Sequence, residues 1–166
     1  SFRIRGSAGY ITRISDGENV IGEMTDYTHP ARPVFVRRMT LTRSLSFTFE
    51  SPFQPVNTDR IYGGRAISRL FEIPEGTVGF SKSRTDKETY CQLLLSPNCS
   101  EKEGSIIFPS GESYLIFVGG DYGEYGTESF ANCMSLSEAM LGADLDRIYA
   151  DFQGYWRDIF RSVQVN

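Results

Sequence analysis

The chain holds one histidine, His29, and only three cysteines, Cys91, Cys99 and Cys133, with no C-x-x-C pair among them. A structural zinc site draws its ligands from closely spaced Cys and His. That inventory is missing, so neither a metal nor a cofactor is expected. No apolar run approaches the roughly 18 residues of a membrane-spanning helix, and no membrane association is expected. Charge of one sign is also missing: 17 basic and 21 acidic residues leave a formal net charge of −4. Such a balance argues against a nucleic-acid surface within this stretch. There is no P-loop, dinucleotide fingerprint or nucleophile elbow. His29 stands beside Pro30 and reads as a loop residue rather than a base. No catalytic residue is assigned, and the chain is read as non-enzymatic. An odd number of cysteines without a signal segment predicts free thiols and a cytoplasmic protein. The chain starts with Ser1 and not with Met, as a piece cut from a longer protein, a processed protein or one with a trimmed tag would.

What is present is a surplus of aromatic residues, 12 Phe and 9 Tyr, and a knot of arginines at Arg32, Arg37, Arg38 and Arg43. Residues 1–33 read as an N-terminal extension or linker. A short helix is predicted over residues 15–27, capped by Ser15 or Asp16 and ended by His29-Pro30. From Pro33 to Phe49, apolar and polar residues alternate through Val34, Val36, Met39, Leu41, Leu45 and Phe47. That period predicts one long strand, with a bulge where Arg37 and Arg38 interrupt the pattern. A helix is expected over residues 57–71, although Gly63 and Gly64 inside it cost about 1 kcal/mol each. A hairpin turning at those glycines is the alternative. Strands are also expected at 77–81 and 88–95. Residues 105–108 and 113–119 form two strand halves around Pro109-Ser110-Gly111. Thr127 or Ser129 caps a second helix that reaches Met140 or Leu141, and Gly142 stops it.

The segment RIYADFQGYW carries Tyr149, Asp151, Gln153 and Tyr155 at alternate positions. On a strand these side chains share a face. Strands are therefore expected at 147–157 and 160–165. Aromatic groups beside an acid suit the wall of a pocket for a flat or cationic molecule. The alternative is a solvated strand face. The expected pocket is lined by Tyr149, Asp151, Tyr155, Tyr114, Phe160 and Phe47. The order strand, helix, strand, strand is thus read twice, over residues of about 34–96 and 105–166. This predicts an α+β domain at 34–166, with two similar halves, mainly antiparallel sheet and two principal helices.

That order, the strand IIFPSGESYLIF and the aromatic segment at the end resemble the GyrI-like effector-binding domains. These also form the C-terminal part of MerR-family and AraC-family multidrug-sensing transcription regulators. The resemblance spans residues of about 34 to 165. It implies two packed strand–helix–strand–strand units with a ligand pocket between them. It also implies an acid in the penultimate strand that meets a cationic ligand. Asp151 is the matching acid, although a register set on the tyrosine places Ala150 there. Asp158 and Phe160 fall where the drug sensors carry a second acid and an aromatic. The resemblance implies a drug-like small-molecule ligand, with cationic aromatics as the type case, and DNA contact only through a separate N-terminal domain. A homodimer of the full-length protein is a further implication. A protein-interaction or inhibitor module, and a small GyrI-like hydrolase, stand as alternatives.

Overall fold

Eleven strands precede two helices in the computed structural model of the chain, among the residues it describes: 2–3, 10–48, 58–62, 74–84, 89–102, 105–119 and 127–163. The strands are β1 (Phe2–Arg3), β2 (Tyr10–Asp16), β3 (Asn19–Thr28), β4 (Val34–Leu41), β5 (Leu45–Phe47), β6 (Thr58–Tyr62), β7 (Thr77–Arg84), β8 (Thr89–Leu95), β9 (Ser100–Lys102), β10 (Ser105–Phe108) and β11 (Gly111–Gly119). The helices are α1 (Thr127–Leu141) and α2 (Leu145–Val163). The fold is α+β, with an antiparallel eight-stranded sheet in the order β1-β2-β3-β4-β11-β8-β7-β6 and a three-stranded sheet in the order β5-β10-β9.

Alternation along the strands builds a core on each face of the large sheet. Val34, Val36, Leu93, Leu95, Ile116 and Val118 point to the helices and meet Cys133, Met140, Ile148 and Phe152. Met39, Leu41, Leu94 and Leu115 point the other way and meet Ile106 and Phe108 of the small sheet. Each Val, Leu, Ile, Met or Phe side chain among them contributes about 1.5–3 kcal/mol when fully buried. Three layers result, with the large sheet in the middle.

Several local expectations are corrected. Residues 15–27 are not helical: β2 and β3 form a hairpin across Gly17-Glu18, and Gly17 has φ 63°. A two-residue turn with a positive φ suits the right-handed twist of paired strands. β3 then pairs with β4 along its length, so residues 10–28 belong to the main sheet and are no linker to it. Gly22 is required there, because a Cβ would meet the Leu41 side chain at 2.7 Å and the Thr40 carbonyl at 2.9 Å.

The long strand expected over 33–49 is divided. β4 ends at Leu41, and a turn held by Thr42 N–H to the Ile21 carbonyl (2.9 Å) sends β5 into the small sheet. No bulge occurs at Arg37 and Arg38, since the register on both neighbours is continuous. Each arginine instead keeps its place in the alternation and meets a carboxylate on its own face. Of the helix expected over 57–71, Thr58–Tyr62 is a strand, and residues 57 and 63–71 lie outside the described residues.

Helix α1 has the bounds that its caps predict. The C-terminal segment departs from expectation: in place of strands at 147–157 and 160–165 there is one 19-residue helix through Val163, with residues 164–165 outside the described set. Asp144 caps it, its Oδ1 accepting the Arg147 N–H at 3.0 Å. Leu145, Ile148, Phe152 and Trp156 recur at helical spacing and face the sheet. The second half of the chain therefore runs strand, helix, helix, and the strand–helix–strand–strand order is not repeated there.

Candidate functional site

The turn between β3 and β4, His29-Pro30-Ala31-Arg32-Pro33, forms one wall of a cleft. Its backbone is held by His29 N–H to the Val34 carbonyl (2.9 Å) and by Val34 N–H to the Arg32 carbonyl (2.7 Å). The Ala31 N–H donates to His29 Nδ1 at 3.1 Å. Gly119, at the end of β11, donates its N–H to the Pro33 carbonyl at 2.8 Å and fastens the turn to the sheet. The facing wall is α1. Asn132, Ser135, Leu136 and Ala139 line it, at the spacing that brings side chains to one helical face. The adjoining face of α1 is anchored in the core, where Cys133 Sγ donates to the Val118 carbonyl at 3.2 Å. Ser137 Oγ, also buried, donates to the Cys133 carbonyl at 2.7 Å.

Between these walls lies a cleft of about 510 Å³, completed by Ala31, Arg32, Pro33 and Gly119. Among the described lining residues Arg32 supplies the formal charge, and it enters no ion pair with another described residue. Burial, and then the Arg32 guanidinium, hold the His29 imidazole below its ordinary pKa, while Asp151 of α2 pulls it the other way. The His29 Nδ1 acts as an acceptor, in keeping with that downward shift.

A second polar group lies where α2 begins. Arg38 donates through Nε to Glu112 (2.7 Å) and through Nη1 to Asp146 (3.0 Å), and Nη2 also meets Glu112. The Tyr114 hydroxyl donates to the other Glu112 oxygen, and the Arg38 guanidinium lies 6.0 Å from the Tyr114 ring centre. Tyr27 donates its hydroxyl to the Leu145 carbonyl at 3.1 Å. Burial, with Tyr114 next, pushes the Tyr27 phenol well above its ordinary pKa. Burial and the Glu112 hydrogen bond do the same to Tyr114. Every charge here is answered by a neighbour, so the group acts as a fastening of α2 to β4 and β11. On the other face Arg37 makes a bidentate pair with Asp26, at 2.8 and 2.7 Å.

The residues expected to line one pocket are separated. On a helix, Tyr149 and Asp151 lie about 200° apart, so the shared strand face is lost. Tyr149 turns inward, its ring centre 4.9 Å from that of Tyr27. Asp151 is exposed. Tyr155 is 49% exposed, edge-on to Trp156 at 5.7 Å. Phe160 stacks at a tilt on Trp156, 5.9 Å away. Tyr114 belongs to the fastening below α2. Phe47 lies on the opposite face of the large sheet, edge-on to Phe108 at 5.1 Å. The six therefore do not converge on a single cavity.

Sequence reasoning misses Arg32, Asn132, Ser135 and Gly119 as site residues. Arg32 is visible only as a member of an arginine cluster, and Gly119 only as part of a turn. Asn132 and Ser135 look like any solvated face of a helix. Their meeting depends on the β4–β11 register, which has no local signal. Among the described residues no group of Cys, His, Asp and Glu is placed to hold a metal ion. No helix of the described residues is long and apolar enough to cross a membrane. No family model matches the chain, and no curated protein or solved structure matches it.

Proposed function

We propose that this domain binds a small molecule, without reacting with it, in the cleft between the β3–β4 turn and α1. The observation that carries this reading is the cleft itself. Its volume of about 510 Å³ falls within the roughly 300–1,000 Å³ of small-molecule sites. Pro33, Ala31, Leu136 and Ala139 offer apolar surface, and Arg32, Asn132 and Ser135 offer a few donors to orient a ligand. The turn is already fastened at both ends by backbone hydrogen bonds, so little ordering is left to oppose binding.

A binding domain of this kind suits the sensory part of a transcription regulator, the role that the resemblance to GyrI-like domains implies. A ligand bridging the turn and α1 would favour one arrangement of those two elements. A regulator could read that preference through a separate DNA-binding part, provided the ligand binds the two arrangements unequally. The reading is tested by adding a library of small fragments to ¹⁵N-labelled protein and following the amide resonances. Shifts centred on Gly119, Asn132, Ser135 and Ala139, with the fragments recovered unchanged, are expected. Fragments that leave those amides unmoved, or that are converted, would overturn it.

A further inference from the structure

We infer that the cleft selects an anion, a small ligand carrying a carboxylate or phosphate group; this rests on the cleft being a ligand site. Among the described residues that line it, the formal charge is the guanidinium of Arg32, and none of them is a carboxylate. Arg32 is exposed on the turn and takes part in no ion pair among the described residues. Arg13, Arg37, Arg38 and Arg43, from the same part of the sheet, are each paired with a carboxylate, whereas Arg32, like Arg147, Arg157 and Arg161 of α2, enters no ion pair among the described residues. A guanidinium is a planar fork of donors that matches two oxygens of a carboxylate or phosphate. Across the cleft, the Asn132 amide and the Ser135 hydroxyl are one helical turn apart. Both can donate to the same anion. Burial and Arg32 disfavour the protonated form of the single histidine, His29, whose Nδ1 accepts the Ala31 N–H. The acid that acts on this turn, Asp151, projects from α2 and is not part of the lining. A cationic ligand, the type the family resemblance implies, would face Arg32 with no carboxylate among the described lining residues to receive it.

The test uses three probes of one shape and different charge: benzoate, benzamide and benzamidine. Each is titrated into the whole domain at low salt, with the amides of Gly119, Asn132 and Ser135 as the readout. Benzoate is expected to bind about threefold to fivefold more tightly than benzamide, the scale of one exposed ion pair, and benzamidine more weakly than either. Arg32→Gln should bring benzoate to the level of benzamide. In the unmodified protein, added salt should weaken benzoate and spare benzamide, a comparison that needs no variant. Phenyl phosphate, run alongside, tells which anion is preferred. Equal affinities for benzoate and benzamide, or tighter benzamidine, would overturn the anion inference and leave the cleft standing. Failure of every probe to move the cleft amides would overturn both.

Discussion

Replacing Phe152 with alanine tests whether the last segment is a helix docked on the sheet. Phe152 is 3% exposed, and its ring centre lies 6.1 Å from that of Tyr27 and 6.5 Å from that of Tyr149. Burying such a side chain is worth about 1.5–3 kcal/mol. Each aromatic contact adds about 0.5–1.5 kcal/mol. The cavity left between α2 and Tyr27 brings the expected cost of Phe152→Ala to about 3–5 kcal/mol. For a domain of this size each kcal/mol moves the melting temperature by about 2–4 °C, so a fall of roughly 6–20 °C is expected. Asp151→Ala, one residue earlier and exposed, should stay within about 0.5 kcal/mol of the parent. Urea and thermal melts followed by circular dichroism give both values. Phe152→Leu keeps most of the volume and covers the case in which the alanine variant does not fold. A strand with Tyr149, Asp151 and Tyr155 on its buried face would reverse the order. Equal costs at 151 and 152, or a larger cost at 151, would refute the helical packing.

Glu112 is held below the usual carboxylate range by the Tyr114 hydroxyl and by Arg38. Its folded pKa is depressed, so its contribution to stability is present above the unfolded value and is lost as pH falls through the folded one. Glu112→Gln should therefore lessen the loss of melting temperature between about pH 5 and pH 2; an unchanged profile would count against the pairing. The His29 imidazole should titrate below its ordinary value in an NMR pH series. Because Arg32 lowers and Asp151 raises that pKa, Arg32→Gln should move it up and Asp151→Asn should move it down. Shifts of the same sign in both variants would show that α2 does not approach the turn as described.

The α+β class, the antiparallel pairing and the bounds of α1 are legible in the sequence because local signals agree. Thr127 and Gly142 stand at the two ends of a run with helical spacing, and β10 and β11 flank a Pro-x-Gly turn with Gly111 at φ 91°. The α2 segment misleads because two periods coexist in it. Tyr149, Asp151 and Tyr155 satisfy a period of two, while Leu145, Ile148, Phe152 and Trp156 satisfy a helical one, and Asp144 supplies the cap. The helical set is the apolar one, and burial decides between them. The β2–β3 hairpin has its own signal in Asp16-Gly17, which reads equally well as the start of a helix. Arg37 and Arg38 look like an interruption because their carboxylate partners, Asp26 and Glu112, are distant in sequence. The cleft is invisible for the same reason: Pro33, Gly119 and Ser135 meet only once β4 pairs with β11 and α1 folds back.

The central claim is that ligands enter between the β3–β4 turn and α1. Ala139 lines that space from an exposed position on α1, so Ala139→Trp should fill it without disturbing the core below. The direct measurement is calorimetric titration of the tightest-binding fragment into the parent and into Ala139→Trp, after circular dichroism has matched their folds. Binding that is lost in Ala139→Trp, with the melting temperature retained, is the expected result. Binding of equal affinity in the two proteins would contradict the account and place the ligand elsewhere.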